Sequence, residues 1–97
     1  MEQVEYKPGD DVIVREEEDG AFLFDASTGV LQFANETALE LWREIENGLG
    51  RTALLDYLEE HYEGADLTDM EKDLDLFLSE MVRQGFLSGP DPLDVHD

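Results

Sequence analysis

Ninety-seven residues make one domain, and a hydrophobic share of 41% is enough for a single modest core. Twenty-six acidic side chains against 6 basic ones leave a net charge of −20, which repels nucleic acid and anionic lipid, since each phosphate contact needs a Lys or Arg. The same charge suits solubility in a salty cytosol or attraction to a basic partner, and the absence of cysteine excludes disulfides and thiolate metal sites and fits a cytoplasmic protein.

Residues 1–11 read as a lead-in. Its start, Met1-Glu-Gln-Val-Glu5, is acidic and lacks the apolar stretch of a signal peptide. Nowhere does an apolar run approach the ~18 residues of a membrane span. Pro8-Gly9 marks a turn, and Val12 to Glu16 forms a first strand. Glu17 to Gly20 connects it to a second strand, Ala21 to Asp25. The turn Asp25-Ala-Ser-Thr-Gly29 leads to a third, Val30 to Ala34, which carries no charge. Short strands on short loops predict an antiparallel meander with the second strand central.

At Asn35 the apolar period changes from 2 to 3.6. Asn35 is a natural N-cap, with Glu36 in the first turn where the helix dipole favours an anion. Ala38, Leu41, Trp42 and Ile45 make the apolar stripe of a first helix, which Asn47-Gly48 ends. Thr52 is the expected cap of a second helix bearing Leu54, Leu55, Leu58 and Tyr62, with Glu63-Gly64 as its stop. Thr68 and Glu71 have the spacing of a capping box for a third helix. Its apolar face runs Met70, Leu74, Phe77, Leu78, Met81, Val82. Gly85 ends it, with Phe86 placed to fold back in a Schellman motif. Residues 88–97, with Pro90, Pro92 and alternating acids, read as a flexible acidic tail or linker. The order predicts an α+β fold: a three-stranded antiparallel sheet followed by three helices, winged-helix-like.

Chemistry is hard to place on this chain. No Ser stands in a nucleophile elbow, His61 sits among carboxylates on a helix, and His96 lies in the tail. Asp66, Asp69, Asp73 and Asp75 lack the spacing and central Gly of a calcium loop. No Gly-rich phosphate loop follows a strand. We therefore expect no catalytic residue, no metal site and no cofactor. A winged-helix fold raises the question of DNA, but the third helix sets Asp69, Glu71, Asp73, Asp75 and Glu80 against Lys72 and Arg83, and a groove would repel it.

The two sheet edges differ. The first strand runs into Arg15-Glu-Glu-Glu-Asp19, whose charges discourage pairing, whereas Val30 to Ala34 is an unprotected edge. Such an edge is either covered by the protein's own helix or tail, or kept for a partner.

Gly20-Ala-Phe-Leu-Phe-Asp25, then Thr28-Gly29, Asn35-Glu-Thr-Ala38 with Leu41-Trp42, Asn47-Gly48 with Arg51-Thr52, and the closing Gly85-Phe-Leu87 together resemble the PqqD-like family over residues 12–87. These are RiPP recognition elements, which bind the leader of a ribosomally made precursor peptide and present it to a modifying enzyme, often a radical SAM protein. The resemblance implies a non-catalytic adaptor on which the leader adds as a strand beside Val30, Leu31, Gln32, Phe33 and Ala34 and lies against the third helix at Asp73, Phe77 and Met81. Leu31 and Phe33 share one face of the strand, and we expect them to face the core. The competing reading is an acidic winged-helix-like module that docks a protein or regulates transcription without touching DNA. A third is an enzyme subunit whose active site lies on another chain.

Overall fold

The computed structural model describes residues 4–94. Its elements run β1 (Lys7–Pro8), β2 (Val12–Glu17), β3 (Gly20–Asp25), β4 (Leu31–Asn35), α1 (Glu36–Glu46), α2 (Arg51–His61), α3 (Leu67–Arg83) and β5 (Leu87–Ser88). The expected three-stranded antiparallel sheet is β2-β3-β4, with β3 central, and three helices follow it. β1 and β5 form a separate two-stranded sheet.

The faces of the main sheet follow from the pleat. Ala21, Leu23 and Ala34 are buried on the inner face, against α1 and the core residues Leu41, Trp42 and Ile45. Ile13, Phe24, Leu31 and Phe33 stand exposed on the outer face. Leu31 and Phe33 therefore face away from the core, contrary to expectation. The register explains it: Phe24 pairs with Leu31 and Phe22 with Phe33, and paired residues share a face. β3 turns its small and aliphatic Ala21 and Leu23 inward, so Gln32 and Ala34 go inward with them. Gly20 begins β3 with φ 150° where a Cβ would collide with the Ala34 carbonyl, so β3 and β4 close only on glycine.

β4 spans Leu31–Asn35 rather than starting at Val30, whose N–H turns back to Thr28 Oγ1 at 3.2 Å. The chain passes from strand to helix at Asn35, whose side chain accepts from the Ala38 N–H at 2.9 Å. The other two helix starts differ from expectation. α2 begins at Arg51 behind Gly50, and Glu5 Oε1 accepts the Arg51 N–H at 2.6 Å, so a distant carboxylate does the work expected of Thr52. α3 is capped by Asp66, which accepts from the N–H groups of Thr68 and Asp69, and Thr68 lies inside the helix. A cap two residues earlier adds half a turn and satisfies the same orphan donors. The C-terminus of α3 forms the expected Schellman motif: Phe86 N–H reaches Met81 O at 2.9 Å, Gly85 N–H reaches Val82 O at 3.1 Å, and Gly85 has φ 86°.

Tertiary contacts draw residues 6–8 and 87–91 into the domain. Tyr6, in the stretch read as a lead-in, is 1% exposed within the core cluster. Its hydroxyl donates to the Pro90 carbonyl at 2.8 Å, Lys7 pairs with Ser88, and Arg83 holds Asp91 at 2.9 Å. The first part of the expected tail is thus fastened to α3 and β1. His96 and the last residues of that tail lie outside the described residues. Arg51 grips Asp75 through two hydrogen bonds of 2.6 and 3.0 Å and ties α2 to α3.

Candidate functional site: an open strand edge and an adjoining cleft

Hydrogen bonding fixes which way each peptide group of β4 points. Asp25 N–H donates to Val30 O, directly opposite it, at 2.9 Å. In an antiparallel ladder hydrogen-bonded pairs alternate with non-bonded ones. Counting on from Asp25 and Val30, the pairs Leu23–Gln32 and Ala21–Ala34 are bonded, and Phe24–Leu31 and Phe22–Phe33 are not. The N–H and C=O groups of Leu31 and Phe33 therefore point outward, away from β3. No described strand pairs with that edge. One outward acceptor has a local partner: the Gln32 side-chain amide donates to the Phe33 carbonyl at 3.1 Å.

Where β4 gives way to α1, the surface opens into an apolar cleft of about 470 Å³. Asn35, Thr37, Ala38 and Leu41 form one wall, and Met70, Asp73, Leu74 and Phe77 of α3 form the other. Leu58 of α2 and Tyr62, which follows its last residue, close it. The Tyr62 hydroxyl donates to Glu40 Oε2 at 2.6 Å and lies 3.2 Å from Thr37 Oγ1. The Glu40 hydrogen bond, then burial, holds the phenol above its usual pKa, so it stays a neutral donor. Asp73 is the only ionisable carboxylate or base in the lining.

The anticipated site residues fall into three groups. Leu31, Gln32 and Phe33 lie along the open edge, and Asp73 and Phe77 line the cleft at its end. Val30 packs partly buried against the core, while Ala34 and Met81 are buried at 3% and 4% exposure. Periodicity alone pointed to the apolar stripe of α3 as a unit. It could not tell that Phe77 and Met70 reach the cleft while Met81 turns into the core. The α1 contribution, Thr37 and Ala38, was missed. Its only sequence signal is position, in the first turn after the strand. Among the described residues no group of three or more His, Asp or Glu is placed to hold a metal ion, and no helix is long and apolar enough to cross a membrane.

The domain is α+β with a winged-helix-like arrangement, and of the two outer edges of its three-stranded sheet the one on β4 opens beside an apolar cleft, a geometry that suits strand addition by a peptide. The model of the family described as coenzyme PQQ synthesis protein D (PqqD) matches residues 20–87, and the chain belongs to that family. Two solved structures share its fold. One is TbiB1 in complex with the TbiA(beta) leader peptide, with a TM-score of 0.78 and 24% identity over 87% of this chain and 96% of that one. The other is lasso peptide synthetase B1 complexed with the leader peptide, with a TM-score of 0.76 and 21% identity over 87% of this chain and 98% of that one. No curated protein matches the chain.

Proposed function

We propose that this chain is a non-catalytic adaptor: it binds the leader of a ribosomally made precursor peptide as an added strand on β4 and presents the precursor to a modifying enzyme. The observation that carries the reading is the outward-pointing N–H and C=O of Leu31 and Phe33 on an edge that opens into an apolar cleft. A peptide strand there exchanges backbone hydrogen bonds with Leu31 and Phe33, which gives affinity tolerant of sequence. Side chains that reach the cleft at Met70, Asp73 and Phe77 set register. That both similar structures hold leader peptides supports the reading. A radical SAM protein is the modifying enzyme we propose, and the cytoplasm the compartment.

The test is amide hydrogen exchange by NMR, with a synthetic leader segment of a candidate precursor peptide as probe. In the free protein Gln32 and Ala34 amides are protected and Leu31 and Phe33 amides exchange fast. Bound peptide slows the exchange of Leu31 and Phe33. Binding that leaves those two amides fast would refute strand addition at β4, and turnover by the chain alone would refute the adaptor role.

A further inference from the structure

We infer that the peptide accepted at the β4 edge is cationic and carries apolar side chains at alternate positions, those that fall beside Leu31 and Phe33 on the outer face of the sheet. This rests on the strand-addition reading above and states which peptides that edge selects.

The apolar alternation follows from facing. Leu31 is 60% and Phe33 43% exposed, and both project from the side of the sheet opposite the helices. Inward along the sheet they already have neighbours: Phe33 meets Phe22 edge-on with ring centroids 5.3 Å apart, and Leu31 pairs with Phe24. Their other flank, toward the open edge, has no described strand beside it. Because the N–H and C=O of Leu31 and Phe33 point to that edge, an added strand forms its hydrogen-bonded pairs with these two residues. The side chains it places opposite them lie about 5 Å away on the same outer face. Apolar side chains there complete a row that is otherwise wet, and the intervening residues turn toward the helices.

The charge follows from what neutralises the six basic residues. Three of them are paired within the domain: Arg43 with Glu16 and Glu46, Arg51 with Asp75 and Glu71, and Arg83 with Asp91. Arg15 stands exposed on the outer face 3.8 Å from Glu17, and Lys7 and Lys72 complete the six. No Lys or Arg lines the cleft, where Asp73 is the charged group and Tyr62 is bonded to Glu40. An acidic peptide would meet a like-charged site on a protein of net charge −20. Basic residues flanking the apolar pair are drawn in instead, and their association is steered. The same repulsion disfavours a second copy of the chain as the strand that occupies this edge.

The experiment is selection of a random-sequence peptide library, displayed on mRNA, against the full chain. The Leu31→Pro variant serves as counter-target because it removes an outward N–H. The expected winners bind the parent and not the variant, are rich in Lys and Arg, and carry apolar residues two apart. Repeating the selection on Leu31→Thr/Phe33→Thr, which keeps both N–H groups, should abolish the apolar alternation. On Asp73→Lys the excess of basic residues should shrink. Raising salt from low to ~0.5 M should weaken a selected peptide roughly tenfold as the charges are screened. Winners that depend on the Leu31 N–H but are acidic or neutral, or lack the alternation, overturn this inference and leave strand addition standing. Winners indifferent to Leu31→Pro, or no winners at all, overturn strand addition and the inference with it.

Discussion

Adjacent proline substitutions on β4 should differ in kind, and the register says which is which. The Gln32 N–H points to the carbonyl of Leu23, a residue with 0% exposure, inside the sheet. Gln32→Pro removes that donor, leaves a buried carbonyl unpaired at a cost of ~1–3 kcal/mol, and forces the ring into the β3–β4 pairing. Against a total of roughly 5–15 kcal/mol for a domain of this length, that is a large share. The Leu31 N–H points outward, so Leu31→Pro breaks no ladder bond, and it trims a side chain already 60% exposed. Its cost to stability should be about 1 kcal/mol or less, the range of surface changes. A bound strand, however, loses a hydrogen bond and leaves its own carbonyl unpaired, again ~1–3 kcal/mol, which corresponds to roughly 5- to 150-fold weaker binding. Urea denaturation followed by Trp42, the sole tryptophan and 1% exposed, measures the first quantity. Titration with a bound peptide measures the second. Gln32→Ala is the control: it keeps the N–H, frees the Phe33 carbonyl from the side-chain amide, and should bind at least as well as the parent. The reasoning fails if Leu31→Pro unfolds the domain while Gln32→Pro does not, or if folded Leu31→Pro keeps its affinity.

Three further outcomes follow from the same structure. The melting temperature should rise from low salt to ~1 M, because 20 net negative charges repel one another in the compact state and salt screens them; a flat or falling curve would contradict it. Burial raises the Tyr6 phenol to about 12, with Glu5 adding to the shift; a raised folded pKa means its contribution is complete below the unfolded value of ~10 and is lost as pH climbs through 12, on the order of 2 kcal/mol. Urea midpoints across that range should fall more steeply for the parent than for Tyr6→Phe, and parallel curves would refute this. Asp66→Ala should cost about 1 kcal/mol through the lost cap of α3, while Thr68→Ala should cost only a few tenths; equal losses in a pair of urea melts would place the cap wrongly.

The sequence by itself determined the order of the three main strands and three helices, because each signal is local, but not the β1–β5 pair, which joins residues some eighty positions apart. The change of apolar period at Asn35 and the αL glycine before Phe86 act within a turn or two of chain, and both appear in the structure as written. So did the uncharged edge, since β4 has no described partner on its outer side. The strand's facing was decided elsewhere. Leu31 and Phe33 look like core by composition, yet a period of 2 is silent about which face is buried, and pairing with β3 settles it. Long-range partners also decided the start of α2 and the packing of the chain on either side of the main sheet and helices. Glu5 serves α2 from 46 positions away, and Tyr6 reaches Pro90 across 84. Nothing near Thr52 or Tyr6 in the chain signals those contacts. The cleft is of the same kind: Ala38, Leu58 and Phe77 come from three helices, and only their packing leaves a space between them.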